Sequence, residues 1–206
     1  MTEAGTAGRR SNKRGLATRE NMLEAALAVL ATGDPAAASG NRIAKEIGAT
    51  WGAIKYQFGD IDGLWAAVLH RTAERRGNLP VRITPTATLR ERVTDIVELM
   101  YTGLDSPDSR AIETLRAALP RDHTELERLY PRTAAELASW KPLWHNACQQ
   151  AFADLSLNPT RIREIATLLP GALRGLVSEK QLGTYADLTE ARRGLINAIV
   201  AYLEPA

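Results

Sequence analysis

Trp51, Lys55 and Tyr56 lie within one short stretch, and together their side chains suit contact with a nucleic-acid duplex. A lysine ammonium neutralises a backbone phosphate, a tyrosine hydroxyl donates to one, and an indole edge offers an apolar surface to a thymine methyl. Thr50 and Gly52 flank the tryptophan as further contact candidates, and Arg42 and Lys45 stand upstream as candidates for the sugar-phosphate backbone. Catalytic chemistry has less to work with. His70, His123 and His145 are scattered, no His or Cys pair has metal-ligand spacing, and there is neither a glycine-rich phosphate loop nor a nucleophile elbow. A binding protein without catalysis, metal or cofactor is therefore the expectation.

Contacts of this kind need a rigid support, and residues 39–58 (SGNRIAKEIGATWGAIKYQF) supply one. Ile43, Ala44 and Ile47 share a face of a short helix over 41–47. Gly48 accepts positive φ without steric cost and ends that helix. Thr50 then caps a second helix, in which Ile54 and Phe58 lie four apart on the inner side. Trp51, Lys55 and Tyr56 fall away from that inner stripe. The layout is that of a helix-turn-helix, whose second helix enters the DNA major groove. An ordinary helical hairpin with its aromatics at a protein interface is the other reading of the same residues.

The segment RIAKEIGATWGAIKYQFGDIDGLW resembles the DNA-binding motif of the TetR family of bacterial transcriptional regulators. Ile43-Ala44, Gly48, Gly52, Ile54, Tyr56, Phe58 and Leu64 stand where that family's pattern has I-A, G, G, L, Y/H, F and L. The likeness covers about residues 23–69, a quarter of the chain. Lys55 stands where the family often has tyrosine, and Gly59 and Ile61 stand where lysines are frequent. Since those lysines usually hold the DNA backbone, anchoring here is expected to lean on Lys55 and the N-terminal arm. The resemblance implies an all-α fold of a three-helix DNA-binding domain followed by a helical effector-binding and dimerisation domain. It also implies a ligand-responsive regulator, a repressor acting as a homodimer on a palindromic DNA operator and released by a small molecule.

Charge follows the same division. The whole chain is only +2, but residues 1–58 hold eight Lys or Arg against five Asp or Glu, and residues 59–206 hold 18 against 19. The basic excess thus sits with the helix-turn-helix, as an electrostatic footprint for DNA should. The single cysteine, Cys148, cannot form an intramolecular disulfide. It reads as a small core residue, with a redox sensor as the alternative. No apolar run suits a signal peptide or a membrane span, so a soluble, cytoplasmic chain with no membrane partner is expected.

Along the chain, residues 1–15 form a polar stretch, basic at Arg9, Arg10, Lys13 and Arg14, and are expected to be a flexible arm. A first helix is predicted from about Thr18 to Ala31 or Thr32, with Leu23, Ala26, Leu27 and Leu30 inward; Pro35 then opens a linker to Ser39, which can cap the next helix. Residues 16–62 form the DNA-binding domain and residues 63–206 the helical remainder. Asp60 or Asp62 should cap a helix running to about Arg76, with Leu64, Val68, Trp65 and Leu69 facing inward, stopped by Gly77, Asn78 and Pro80, and able to pass a shift from effector domain to reader. Helical blocks separated by breakers follow, giving about nine helices in all. One runs over 132–155 with Pro142 kinking it or starting a new turn, and another over 160–182 with Pro170-Gly171 interrupting it.

Two further surfaces are expected in the C-terminal part. Leu169, Ala172, Leu173 and Leu176 with Leu195, Ile199 and Tyr202 make the last two long helices more apolar than one core needs, which suits a dimer interface; burial within one copy is the alternative. Trp140, Trp144 and Cys148 form a stripe that, with Met100, Tyr101, Leu104 and His145, would line a pocket for an apolar or aromatic effector. The same stripe also reads as plain core. A helical dimer that binds small molecules or partners but has lost DNA binding is the alternative function, kept open by the missing lysines.

Overall fold

The structure is a computed structural model. It describes residues 4–76, 86–185 and 187–204, with side chains from residue 17 onward, that of Arg76 excepted. Among them are ten α-helices, a single 3-10 turn and no strand. The helices are α1 (Ala4–Leu30), α2 (Gly40–Glu46), α3 (Trp51–Phe58), α4 (Ile61–Arg76) and α5 (Leu89–Leu104). They continue with α6 (Pro107–Ala118), α7 (His123–Leu129), α8 (Pro131–Ala151), α9 (Pro159–Gln181) and α10 (Thr189–Leu203). Helix α7 is short, at 7 residues. Asp122 starts it by accepting the Glu125 N–H at 2.8 Å.

The chain divides into two units, residues 1–75 with 107–138 and residues 76–106 with 139–206. The first unit is larger than the predicted 16–62 domain, because α6, α7 and the start of α8 join it. The reason is apolar: α6 packs against α1, and Ala111, Ile112 and Leu115 are as fully buried as Leu23, Ala26 and Leu30. Each such large aliphatic side chain contributes roughly 1.5–3 kcal/mol on burial. Leu64, Trp65, Val68 and Leu69 of α4 are buried as the spacing implied. An ionic group adds to the same unit. Arg71 and Arg75 of α4 both engage Glu24 of α1, Arg71 also takes Glu20, and Arg75 reaches Asp108 of α6 at 3.4 Å.

Helix α1 departs from expectation at its start. Its backbone is helical from Ala4, ahead of the predicted Thr18, and so includes most of the stretch foreseen as a flexible arm, residues 1–15. That stretch has no proline to break the hydrogen-bond ladder, although Gly5, Gly8 and Gly15 each disfavour a helix by about 1 kcal/mol. The side chains of Arg9, Arg10, Lys13 and Arg14 lie outside the described residues, as do Gly77, Asn78 and Pro80. Pro35–Ala37 is one 3-10 turn, opened by Asp34 accepting the Ala36 N–H at 2.9 Å.

In the second unit α5 packs against both α9 and α10, and the latter two pack on each other. Val93, Ile96, Val97 and Tyr101 of α5 meet Ile162, Ala166, Leu169, Leu173 and Val177 of α9 and Ile196, Ile199, Val200 and Leu203 of α10. Cys148 and Ala151 of α8, with Phe152 just beyond it, complete this core. Arg92 is buried but not isolated: it grips Asp154 with both terminal nitrogens and donates to the Ala151 carbonyl at 3.0 Å. That ion pair holds the Asp154 carboxyl below its usual range. Helix α9 starts at Pro159 with Asn158 as its cap, and Pro170 does not interrupt it.

Candidate functional site

Helices α2 and α3 meet at the turn foreseen from Gly48, whose φ is +63°. Thr50 precedes α3 in extended backbone, and its Oγ1 accepts the Ala53 N–H at 3.2 Å. Thr50 is therefore a helix cap as well as a surface residue. Ile43, Ala44, Ile54 and Phe58 are buried, while Ile47 at the end of α2 is only partly so. From α1, the Arg19 guanidinium lies 5.0 Å from the centroid of the Phe58 ring. With the inner side fixed in this way, Gly52, Lys55 and Tyr56 face outward on one side of α3, and Tyr56 is 88% exposed.

Trp51 lies differently from its expected pose. It is half-buried, with the six-membered edge of its indole laid on Gly40 at the start of α2. A Cβ at residue 40 would stand 2.5 Å from that ring and 3.2 Å from Ile61 Cδ1, so the absence of a side chain there makes the seat. Trp51 keeps only part of its ring toward solvent. Lys45 is exposed on α2. Arg42 is exposed too, but its Nη1 is bonded to Asp34 Oδ2 at 2.6 Å. The Ala36 amide, followed by Arg42, holds the Asp34 carboxyl below its ordinary value. A phosphate would have to share that guanidinium with Asp34.

The far end of α3 is closed by two aspartates of the following segment together with Arg132 and Thr133 from far along the chain. Asp60 Oδ1 accepts the Gly63 N–H at 2.8 Å and caps α4. Asp62 instead caps α8: its carboxylate accepts the backbone N–H groups of Arg132 at 3.0 Å and Thr133 at 2.9 Å, and the Thr133 hydroxyl at 2.7 Å. Burial pulls the Asp62 carboxyl upward, but the hydrogen bonds from Thr133 and Arg132 outweigh it and hold it below the usual carboxylate range. Arg132 Nη1 also donates to the Phe58 carbonyl at 3.2 Å.

In the second unit, the predicted pocket residues do not surround an open space. Tyr101 and Cys148 are core residues, and Met100, Leu104 and Trp144 are packed on that core. Trp140 and His145 are half-buried, the latter with Nε2 3.4 Å from Thr167 Oγ1. The Tyr101 ring is covered by the Arg192 guanidinium, 4.3 Å from its centroid. One cavity lies among Val93, Val97, Cys148, Phe152, Ile162 and Ile199, and its volume is about 10 Å³. Such a space holds at most one water. Of the predicted lining only Cys148 borders it. Burial pushes the Cys148 thiol up to about 12, which makes it an inert core group rather than a redox sensor.

The predicted interface residues also separate. Leu169, Leu173 and Ile199 are buried within the second unit and have no face to offer a partner. Ala172, Leu176 and Leu195 are part-exposed and Tyr202 is exposed, its hydroxyl donating to Glu164. The open side of α9 carries instead Leu168, 58% exposed, Gly171 and Gly175; the first two border a shallow groove of about 640 Å³ with Thr160, Arg163, Glu164 and Thr167. On α10 the open side shows Gly194, Ala198 and Ala201.

No family model and no curated protein matches the chain. Solved structures do. A Rhodococcus sp. protein described as a TetR-family transcriptional regulator superposes with a TM-score of 0.63 at 23% identity, over 90% of this chain and 98% of that one. NalD, the secondary repressor of the MexAB-OprM multidrug efflux pump in Pseudomonas aeruginosa, gives 0.65 at 17% identity over 92% and 98%. The Bacillus subtilis transcriptional regulator FadR, in complex with stearoyl-CoA, gives 0.62 at 14% identity over 90% and 99%. The fold is the TetR fold. Within it, two residues of the site escaped the sequence reading. Gly40, the seat of Trp51, had no role in that reading, and its only signal was a small residue beside a large one across a turn. Arg132 of the TetR fold's α8 lies 74 residues from the Phe58 carbonyl it binds, a separation at which sequence spacing carries no information. Among the described residues no helix is long and apolar enough to cross a membrane.

Proposed function

We propose that this chain is a sequence-specific DNA-binding transcriptional regulator, a repressor that acts as a homodimer on a palindromic operator and is released by a small, largely apolar effector. The observation that carries the reading is the pose of α3. Ile54 and Phe58 anchor one side of it, and Lys55 and Tyr56 project from the other beside the bare backbone of Gly52. A side that is cationic, hydroxylated and free of bulk at its first turn suits insertion against phosphates and base edges. The TetR fold, shared with the repressor NalD and the regulator FadR, supports the same assignment.

One reading head makes too few contacts for useful specificity, so a second copy is required. Gly171 and Gly175 of α9 with Gly194, Ala198 and Ala201 of α10 are small, exposed residues over which partner helices can approach closely, and Leu168 beside them offers an apolar contact. Among the described residues, the core of the second unit holds no ready room for an effector. A ligand pocket needs roughly 300 Å³ or more, so an effector must spread the aliphatic side chains around the small cavity of the second unit. It would then bind a conformation different from this one, which is the condition for shifting DNA affinity.

A helical dimer that has lost DNA binding is the second reading, favoured by the engagement of Arg42 with Asp34 and by Trp51 folding onto Gly40. Selection from random duplexes, followed by sequencing and mobility-shift titration, separates the two. Recovery of a two-fold site is expected. On it Lys55→Ala should weaken binding to all sequences alike and lower the salt slope by about one. Failure to enrich any duplex favours the second reading.

A further inference from the structure

Helix α3 ends at Phe58, whose carbonyl is one of the four that a helix leaves without an internal donor. Arg132 supplies the donor from the first turn of α8, Nη1 to oxygen at 3.2 Å. The same guanidinium reaches Asp62 Oδ2 through Nε at 3.2 Å and engages Asp60 through Nη2. Its backbone N–H is held by Asp62 as well. The fit is tight on the other side too: a Cβ at Gly63 would stand 2.0 Å from the Phe58 carbonyl oxygen and 2.6 Å from Arg132 Nη1. One side chain thus fastens the last carbonyl of α3, Asp60 just beyond it and Asp62 in the first turn of α4.

We infer that Arg132 is a positioning residue for the DNA-reading helix, setting the pose of Lys55 and Tyr56 from outside the helix-turn-helix. Lys55 and Tyr56 belong to the same final turn of α3 as the carbonyl that Arg132 holds, so a shift of that carbonyl carries them with it. Direct phosphate contact is the competing role for a half-exposed arginine at this place. Charge argues against it. Arg132 brings one positive charge to the negative charges of Asp60 and Asp62, so the cluster as a whole repels a phosphate rather than attracting it. Each of its three side-chain nitrogens donates to a protein oxygen, Nε to Asp62, Nη1 to the Phe58 carbonyl and Nη2 to Asp60, and a planar fork spent in this way fixes geometry.

The inference rests on the DNA-binding reading, and its test keeps the two apart. Wild type, Arg132→Ala, Arg132→Lys and Lys55→Ala are titrated against the duplex recovered by selection at several salt concentrations. The temperature is one at which circular dichroism shows each variant folded; should Arg132→Ala not fold, Arg132→Gln takes its place. Arg132→Ala is expected to lose roughly tenfold in affinity with the wild-type salt slope, and Arg132→Lys to recover only part of it, because an ammonium lacks the fork. Lys55→Ala is expected to lower the slope. Amide exchange in α3 should accelerate in Arg132→Ala without DNA, while exchange in α1 does not. Unchanged affinity with a lowered melting temperature overturns the role in favour of plain structure. A slope lowered by about one and restored by lysine overturns it in favour of phosphate contact. Wild type that binds no duplex overturns the DNA reading and this role with it, whereas binding indifferent to Arg132 overturns this role alone.

Discussion

Trp144 of α8 donates its indole N–H to the Ala166 carbonyl of α9 at 2.7 Å, and Ala166 is the residue four before Pro170. A proline has no N–H, so the carbonyl four residues back loses its helical donor. The tryptophan replaces it, which is why α9 runs through Pro170 where an interruption was predicted. A buried acceptor without its partner costs about 1–3 kcal/mol. Trp144→Phe should therefore destabilise the protein by about that much in chemical unfolding. In a Pro170→Ala background, where the backbone N–H is restored, the same change should cost clearly less. Additive losses in the two backgrounds would show that the bond does not serve this purpose.

Asp62 yields a pH dependence of defined sign. Its carboxyl is held below the ordinary carboxylate range, so it stabilises the fold above the unfolded value of about 4 and loses that contribution as pH falls through its folded value. Melting temperatures of wild type and Asp62→Asn should differ by a constant amount between about pH 5 and 7, with wild type higher. The gap should close on acidification below about pH 4, where the wild-type carboxyl takes up its proton. A gap that persists at the acid end would place the effect elsewhere, in the volume or dipole of the new side chain.

Gly40 and Trp51 give a prediction separable from folding. A methyl group at residue 40 would stand 2.5 Å from the indole, so the ring must leave its seat, and it sits at the surface where it has somewhere to go. Gly40→Ala is therefore expected to lower DNA affinity with little change in melting temperature, since alanine also favours the helix by about 0.5–1 kcal/mol. Trp51→Ala should then add little further loss in the Gly40→Ala background. Full additivity in mobility-shift titrations would mean that the ring's seat has no part in recognition.

The legibility of this chain divides by distance along it. Gly48, Thr50, Ile54 and Phe58 could be placed from spacing alone, because helix period, capping and a positive φ are local properties. The inward set of α4 was readable for the same reason. Contacts set by packing were not. Leu169 and Leu173 look like surplus apolar surface on a single helix, and only the presence of α5 shows that they are consumed within one copy. The Trp140, Trp144 and Cys148 stripe has the composition of a ligand pocket, but whether it encloses space depends on how α5 and α9 fill it. Arg132 was invisible because its partners are 70 or more residues away.

Association should respond to the open side of α9 and not to its inner side. Leu168 is more than half exposed and borders Gly171 and Ala172, so Leu168→Glu places a charge on the proposed interface without entering the core. Sedimentation at micromolar concentration should shift from dimer to monomer, because a charge desolvated against an apolar partner surface is costly. Leu169→Ala lies one residue on and points into the second unit, where removing its side chain should cost about 2–5 kcal/mol in unfolding experiments. It should leave association nearly unchanged so long as the variant is folded. The pair thus distinguishes an interface from a core on adjacent residues. If Leu168→Glu sediments as wild type does, the partner surface lies elsewhere, and the small residues of α10 are the next to examine in the same way.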